Sequence, residues 1–150
     1  MKNSTLEKGF DERQILERGR AFRNAYLTLA GTLLLMFLMN DGFELYIFDS
    51  LALFDISIML SLAVFGCTAV LHDAFDSYDR VSNGVPIIFG IYGVISVIMS
   101  IVHIVKGDPL IEESGVIGSE IIFLFTGLCF ASVGIAYLIK RARDKKASEE

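Results

Sequence analysis

The hydrophobic and polar positions of this chain are sorted into blocks rather than alternating. Four stretches are almost free of charge: Ala25 to Met39 (AYLTLAGTLLLMFLM), Leu51 to Leu71, Val85 to Val105, and Ile121 to Ile139. Each approaches the roughly 20 residues that a helix needs to cross about 30 Å of hydrocarbon. The first is short, so Phe22 extends it while the Arg23 head snorkels outward. The second holds a single acid, Asp55, and the third opens on Asn83, Gly84 and Pro86, where proline suits a first helical turn. The pattern predicts an all-α, polytopic membrane protein: a four-transmembrane-helix bundle.

The polar blocks give this bundle a direction. Residues 1–24 carry Lys2, Lys8, Arg13, Arg18, Arg20 and Arg23, and the tail carries Lys140, Arg141, Arg143, Lys145 and Lys146. The middle loop contributes Arg80, which leaves only Lys106 of the 13 basic residues for the other side. Positive residues near span ends stay cytoplasmic, so both termini are expected in the cytoplasm. That demands an even number of crossings, in agreement with four spans, and turns the loops at 40–50 and 106–120 outward.

The chain then divides into a cytoplasmic amphipathic segment at 1–24, a transmembrane domain at 25–140 and a basic, then acidic, tail at 141–150. The first segment reads as a helix capped by Asp11 that runs unbroken into the first span. Its Leu6, Phe10, Ile15 and Phe22 would lie along the membrane while Arg13, Arg18 and Arg20 face headgroups.

Composition strengthens the membrane assignment. With 150 residues and 53% hydrophobic side chains, at a mean hydropathy of +0.57, the chain exceeds what one soluble core of that size hides. A net charge of -5 and cations gathered at the two ends exclude a nucleic-acid surface. Cys67 and Cys129 lie inside apolar runs without metal-type spacing, as small packing residues do. The polar start, MKNSTLEKGFDERQ, lacks the pattern of a signal peptide.

Within lipid, apolar side chains give helices no reason to associate, so contacts should form where small residues permit close approach. Gly90, Gly93, Ser96 and Ser100 share one side of the third span, and Gly127, Ala131 and Gly134 share one side of the fourth. They are expected to pack the helices of one chain together, with a dimerisation face as the alternative.

Candidate chemistry is sparse. The stretch LHDAFDSYDR follows the second span, and continued as a helix it would align His72, Asp73, Asp76, Asp79 and Arg80 on one arc. Acids there oppose the helix macrodipole. Compensation is available from an Asp76–Arg80 pair at the favourable i, i+4 order and from the basic tails. Three readings follow: a cap of ion pairs tying tails to loop, a divalent-cation or phosphate-metal site, or a docking surface for a cytoplasmic partner.

Asp55 is the other candidate, because acids inside spans are costly and often functional. About 6 Å inward from Leu51 at 1.5 Å per residue, it is expected to reach interfacial water or to bond Ser57, Asn40 or Tyr46. Its second reading is an ion pathway or proton relay. His103, beside Lys106 and Asp108, is expected at the interface, and Gly107, Asp108 and Pro109 read as a turn. No catalytic, metal or phosphate-binding motif is present, so no cofactor is expected.

The runs Asp11-Glu12-Arg13-Gln14 and Asp73-Ala74-Phe75, with four short spans in a chain of this length, resemble uncharacterised small four-span membrane proteins of bacteria. That resemblance implies a bacterial cytoplasmic (inner) membrane and brings no activity with it. Small multidrug transporters also have four spans, but they resemble a shorter chain with an essential glutamate in the first span, where this chain has no acid. The expected function is that of a nonenzymatic membrane protein acting by association with a protein partner or a second copy, as accessory, regulatory or self-protection component. An oligomeric transporter or channel with Asp55 and Asp49 near its outer entrance is the competing class, and a membrane enzyme using His72, Asp73 and Asp76 the third.

The orientation is open to direct measurement. A reporter active only in the cytoplasm should work when fused to either terminus and fail when inserted at 106–120; head and tail on opposite sides would refute the four-crossing layout.

Overall fold

The computed structural model describes residues 12–43, 49–72, 74, 84–111 and 116–149. Four helices account for nearly all of them: α1 (Glu12–Phe37), α2 (Ser50–Leu71), α3 (Gly84–Lys106) and α4 (Ser119–Ala147). All four are long and apolar enough to cross a membrane. Their surfaces agree with that environment, because Leu34, Phe54, Ile91, Ile98 and Leu138 are each more than half exposed. In water such continuous apolar faces would be an aggregation hazard; in lipid they cost nothing.

The first helix follows the expected unbroken course from the polar segment into the first span. At 1.5 Å per residue its 26 residues extend about 39 Å, more than the hydrocarbon core. It closes in a π-helical turn, Leu38–Gly42. Asp11, Leu6 and Phe10 lie outside the described residues. The second helix stops at Leu71, with His72 as its C-cap, and Ala74 stands outside any helix, its N–H bonded to the Ala69 carbonyl at 2.8 Å. A continuous helical arc from His72 through Asp79 is therefore not formed. The break falls where the apolar run ends and a cluster of acids would have extended the negative end of the helix dipole.

Helix order in space differs from order in sequence. α1 packs on α2, α2 on α4, and α4 on α3, so α4 occupies an inner position and α3 an edge. α1 and α2 run antiparallel. Ser61 Oγ donates to the Ala25 carbonyl at 2.9 Å, the Phe22 and Phe65 rings stand 4.6 Å apart, and Ala21, Ala69 and Ala74 close the end of the pair as a buried cluster. α2 and α4 run parallel, with Val133 seated in the notch left by Gly66: a Cβ there would come within 2.8 Å of Val133 Cγ2.

The α3–α4 contact is the closest. The antiparallel helices touch at backbone level. A Cβ on Gly90 would lie 2.9 Å from Gly134 Cα, one on Gly134 2.5 Å from Gly90 Cα, and one on Gly127 2.9 Å from the Val97 nitrogen. A Cβ on Gly93 would collide with the Ala131 nitrogen and approach the Gly127 carbonyl oxygen to 2.7 Å. The small residues of both spans thus serve packing within the chain. Phe130 seals the seam through a tilted contact with Phe89 and an edge-to-face contact with Tyr92, both at 5.3 Å between centroids.

Two glycines separate packing from mere composition. Gly93→Ala should lower stability by about 1–3 kcal/mol, the usual cost of overfilling a tight contact. Gly31→Ala, where nothing stands within 4 Å of the added methyl, should be neutral or mildly stabilising. Unfolding in mixed micelles measures both.

Candidate functional site

Because α4 lies between α2 and α3, those two helices flank it without packing on one another. An open groove of about 700 Å³ results, floored by α4. Leu51, Ala52, Asp55 and Met59 form one wall, Ile88, Phe89 and Tyr92 the other, and Ser119, Phe123, Thr126 and Phe130 lie between them. The volume falls within the range of small-molecule sites, about 300–1,000 Å³.

Asp55 is the one charged group in this lining, and it is half-buried. Its carboxylate Oδ2 accepts a hydrogen bond from the Thr126 hydroxyl at 3.1 Å. Of the expected partners, Ser57 and Asn40 do not supply it. Ser57, fully buried, donates to the Leu53 carbonyl of its own helix at 2.7 Å and approaches Met36 Sδ at 3.7 Å. Asn40 Oδ1 has no hydrogen-bond donor among the described residues, and Tyr46 lies outside them. Asp55 turns to α4 because α2 and α4 are parallel neighbours, which brings the early turns of both helices to the same depth.

Asp49 sits at the head of α2 beside a second hollow of about 400 Å³. Leu51, Ala52, Ser119 and Ile122 line both spaces. The two aspartates therefore lie beside adjoining hollows at the same end of the bundle.

At the opposite end, His72 is exposed, and its Nδ1 lies 3.6 Å from Glu17 Oε2, while Arg20 pairs with the other Glu17 oxygen at 2.6 Å. Arg18 lies over the Phe22 ring, 5.9 Å from its centroid. The His72–Glu17 contact joins the start of α1 to the end of α2, and the other two lie within α1. Glu17 was not among the anticipated partners, because nothing local links residues 17 and 72. Asp73, Asp76, Asp79 and Arg80, the rest of the anticipated cluster, lie outside the described residues. Cys67 and Cys129 are free thiols, with Cys129 buried and Cys67 Sγ 3.5 Å from Ser132 Oγ.

No protein-family model, curated protein or solved structure matches this chain. The chemistry of the site is therefore read from its own residues. A carboxylate with one hydroxyl donor, set among aromatic and aliphatic side chains, can hold a cation or accept further hydrogen bonds. The groove lining holds no histidine.

Thr126→Val removes the donor while keeping the side-chain shape. It should cost about 0.6 kcal/mol and at most about 1.7, as interhelical hydrogen bonds in membranes do. In an Asp55→Ala background the same change should cost nothing, and a double-mutant cycle measures that difference.

Proposed function

We propose that this is a nonenzymatic integral membrane protein of the bacterial cytoplasmic membrane, with both termini cytoplasmic, that acts by lateral association. The groove between α2 and α3 is the contact site. It receives a partner's transmembrane helix that brings a hydrogen-bond donor or a cationic side chain to Asp55. The observation that carries this reading is the half-buried carboxylate, with Thr126 as its partner, in an apolar groove whose two walls do not meet.

The energetic argument concerns the acid rather than the apolar lining. Lipid solvates Phe89 or Met59 as well as a protein helix would, so apolar area contributes little to choosing a partner. A carboxylate is different. At the bilayer centre its insertion costs roughly 2.5–3.5 kcal/mol and nearer the span end, where Asp55 lies, less; a donor delivered by a second helix recovers part of that cost. Accessory, regulatory and self-protection roles all use such an association.

The adjoining hollows beside Asp49 and Asp55 favour a second reading. An oligomer that conducts protons or cations would use these two acids near its outer entrance.

Photocrosslinkers placed at Tyr92, in the groove, and at Ile98, on the same helix outside it, separate the readings in native membranes. Association predicts a discrete protein adduct from position 92 that Asp55→Asn weakens severalfold, with position 98 silent. An adduct of twice the chain mass identifies the partner as a second copy. Adducts to lipid alone, together with proton or cation flux in liposomes that Asp55→Asn abolishes, would instead establish the transport reading.

A further inference from the structure

A separate constellation occupies the end of the α3–α4 pair remote from the basic tails. The last turn of α3 ends on Gly107, whose φ of 104° lies in the left-handed region that glycine adopts without strain. The Gly107 N–H bonds the Ile104 carbonyl at 3.1 Å and the Asp108 N–H bonds the His103 carbonyl at 3.2 Å. This paired closure is a Schellman motif. It folds the chain back so that the Asp108 carboxylate meets the ring of His103, with Oδ2 2.8 Å from Nδ1. Pro109 follows, and the Gly118 N–H bonds the Leu110 carbonyl at 3.0 Å, which sets the start of α4 beside the same ring. Glu120, in the first turn of α4, brings Oε1 to 3.8 Å from His103 Nδ1.

We propose that His103, Asp108 and Glu120 form a binding site for a divalent zinc-class cation. One ligand atom from each residue lies within 4.8 Å of the others, so modest side-chain rotations bring all three onto one ion. The donor set is one imidazole nitrogen and two carboxylate oxygens. Imidazole favours zinc and its transition-metal neighbours over magnesium and calcium, which prefer oxygen alone. Three protein ligands leave a fourth tetrahedral position for water. The half-exposed His103 and Asp108 side chains leave solvent on that side, whereas Glu120 is only 17% exposed.

Glu120 is the least exposed of the three. Its carboxylate is largely withdrawn from water, and among the described residues its one close polar partner is His103, at 3.8 Å. The helix N-terminus relieves part of its charge but places no second ligand beside it. The neighbouring crevice of about 220 Å³, lined by Ser96, Ser100, His103 and Glu120, leaves the carboxylate room to turn. An ion bound here would staple the end of α3 to the start of α4, the one place where the tightest helix pair is joined by a loop. The spacing 103, 108, 120 matches no metal motif because a helix end, a turn and the next helix each give one ligand.

The test uses tag-free full-length protein in detergent micelles, titrated with zinc chloride and followed by calorimetry and thermal unfolding. One zinc per chain and a raised Tm are expected. His103→Ala should weaken binding by well over tenfold, since loss of a mere supporting group around a metal already costs about 10- to 100-fold, and should erase the gain in Tm. The isosteric Glu120→Gln carries the same expectation should His103→Ala fail to fold. His72→Ala, which removes the other histidine of the chain, should bind zinc unchanged. No binding by the parent protein, equal binding by His103→Ala and Glu120→Gln, loss of binding in His72→Ala, or a preference for magnesium or calcium would each overturn the assignment.

Discussion

The backbone contact between α3 and α4 is the constraint on which the rest of the arrangement depends. Gly90, Gly93, Gly127 and Gly134 let the two helices approach until main chain meets main chain, and dispersion over that surface replaces the hydrophobic force that lipid removes. α4 commits one side to α3 and another, through Thr126, Val133 and its neighbours, to α2. With α4 between them, α2 and α3 cannot close on each other. The groove is thus a consequence of the seam rather than a separate feature, and any side chain that forces the seam apart would also change the groove.

Polar groups inside the spans follow two patterns, and the difference locates the informative ones. Thr28, Thr32 and Thr68 each donate to the carbonyl four residues earlier, at 2.7–2.8 Å, which satisfies the hydroxyl within its own helix and asks nothing of a neighbour. Ser61, Cys67 and Thr126 reach across to another helix. These cross-helix links lie along α2, so α2 is the element whose position polar contacts define. α3, which packs on α4, is positioned chiefly by the glycine seam.

The two ends of the bundle differ in chemistry as well as in charge. Where α1 begins and α2 ends, Glu17 sits between Arg20 and His72, with both of these side chains largely exposed, a geometry that orients the helix ends but contributes little to stability. Where α3 ends and α4 begins, a glycine-dependent turn brings His103, Asp108 and Glu120 together at the edge of a crevice.

The number of membrane-crossing helices and the small-residue seam were legible in the sequence, while α4 runs on to Ala147, through most of the segment read as a tail. Each is a local property: a run of apolar residues long enough to span lipid, or glycines at helical spacing. Asp55 also stood out by residue type alone, as the single charge in its span. Its partner did not, because Thr126 is one hydroxyl among many until α2 and α4 are known to be parallel neighbours. The pairing of Glu17 with His72, the seat of Val133 on Gly66 and the approach of Glu120 to His103 were hidden for the same reason. Hydropathy reports how far each helix is from water and says nothing about which helices are adjacent; adjacency is decided by the fit of surfaces between segments remote in sequence, and that fit exists only in the folded chain.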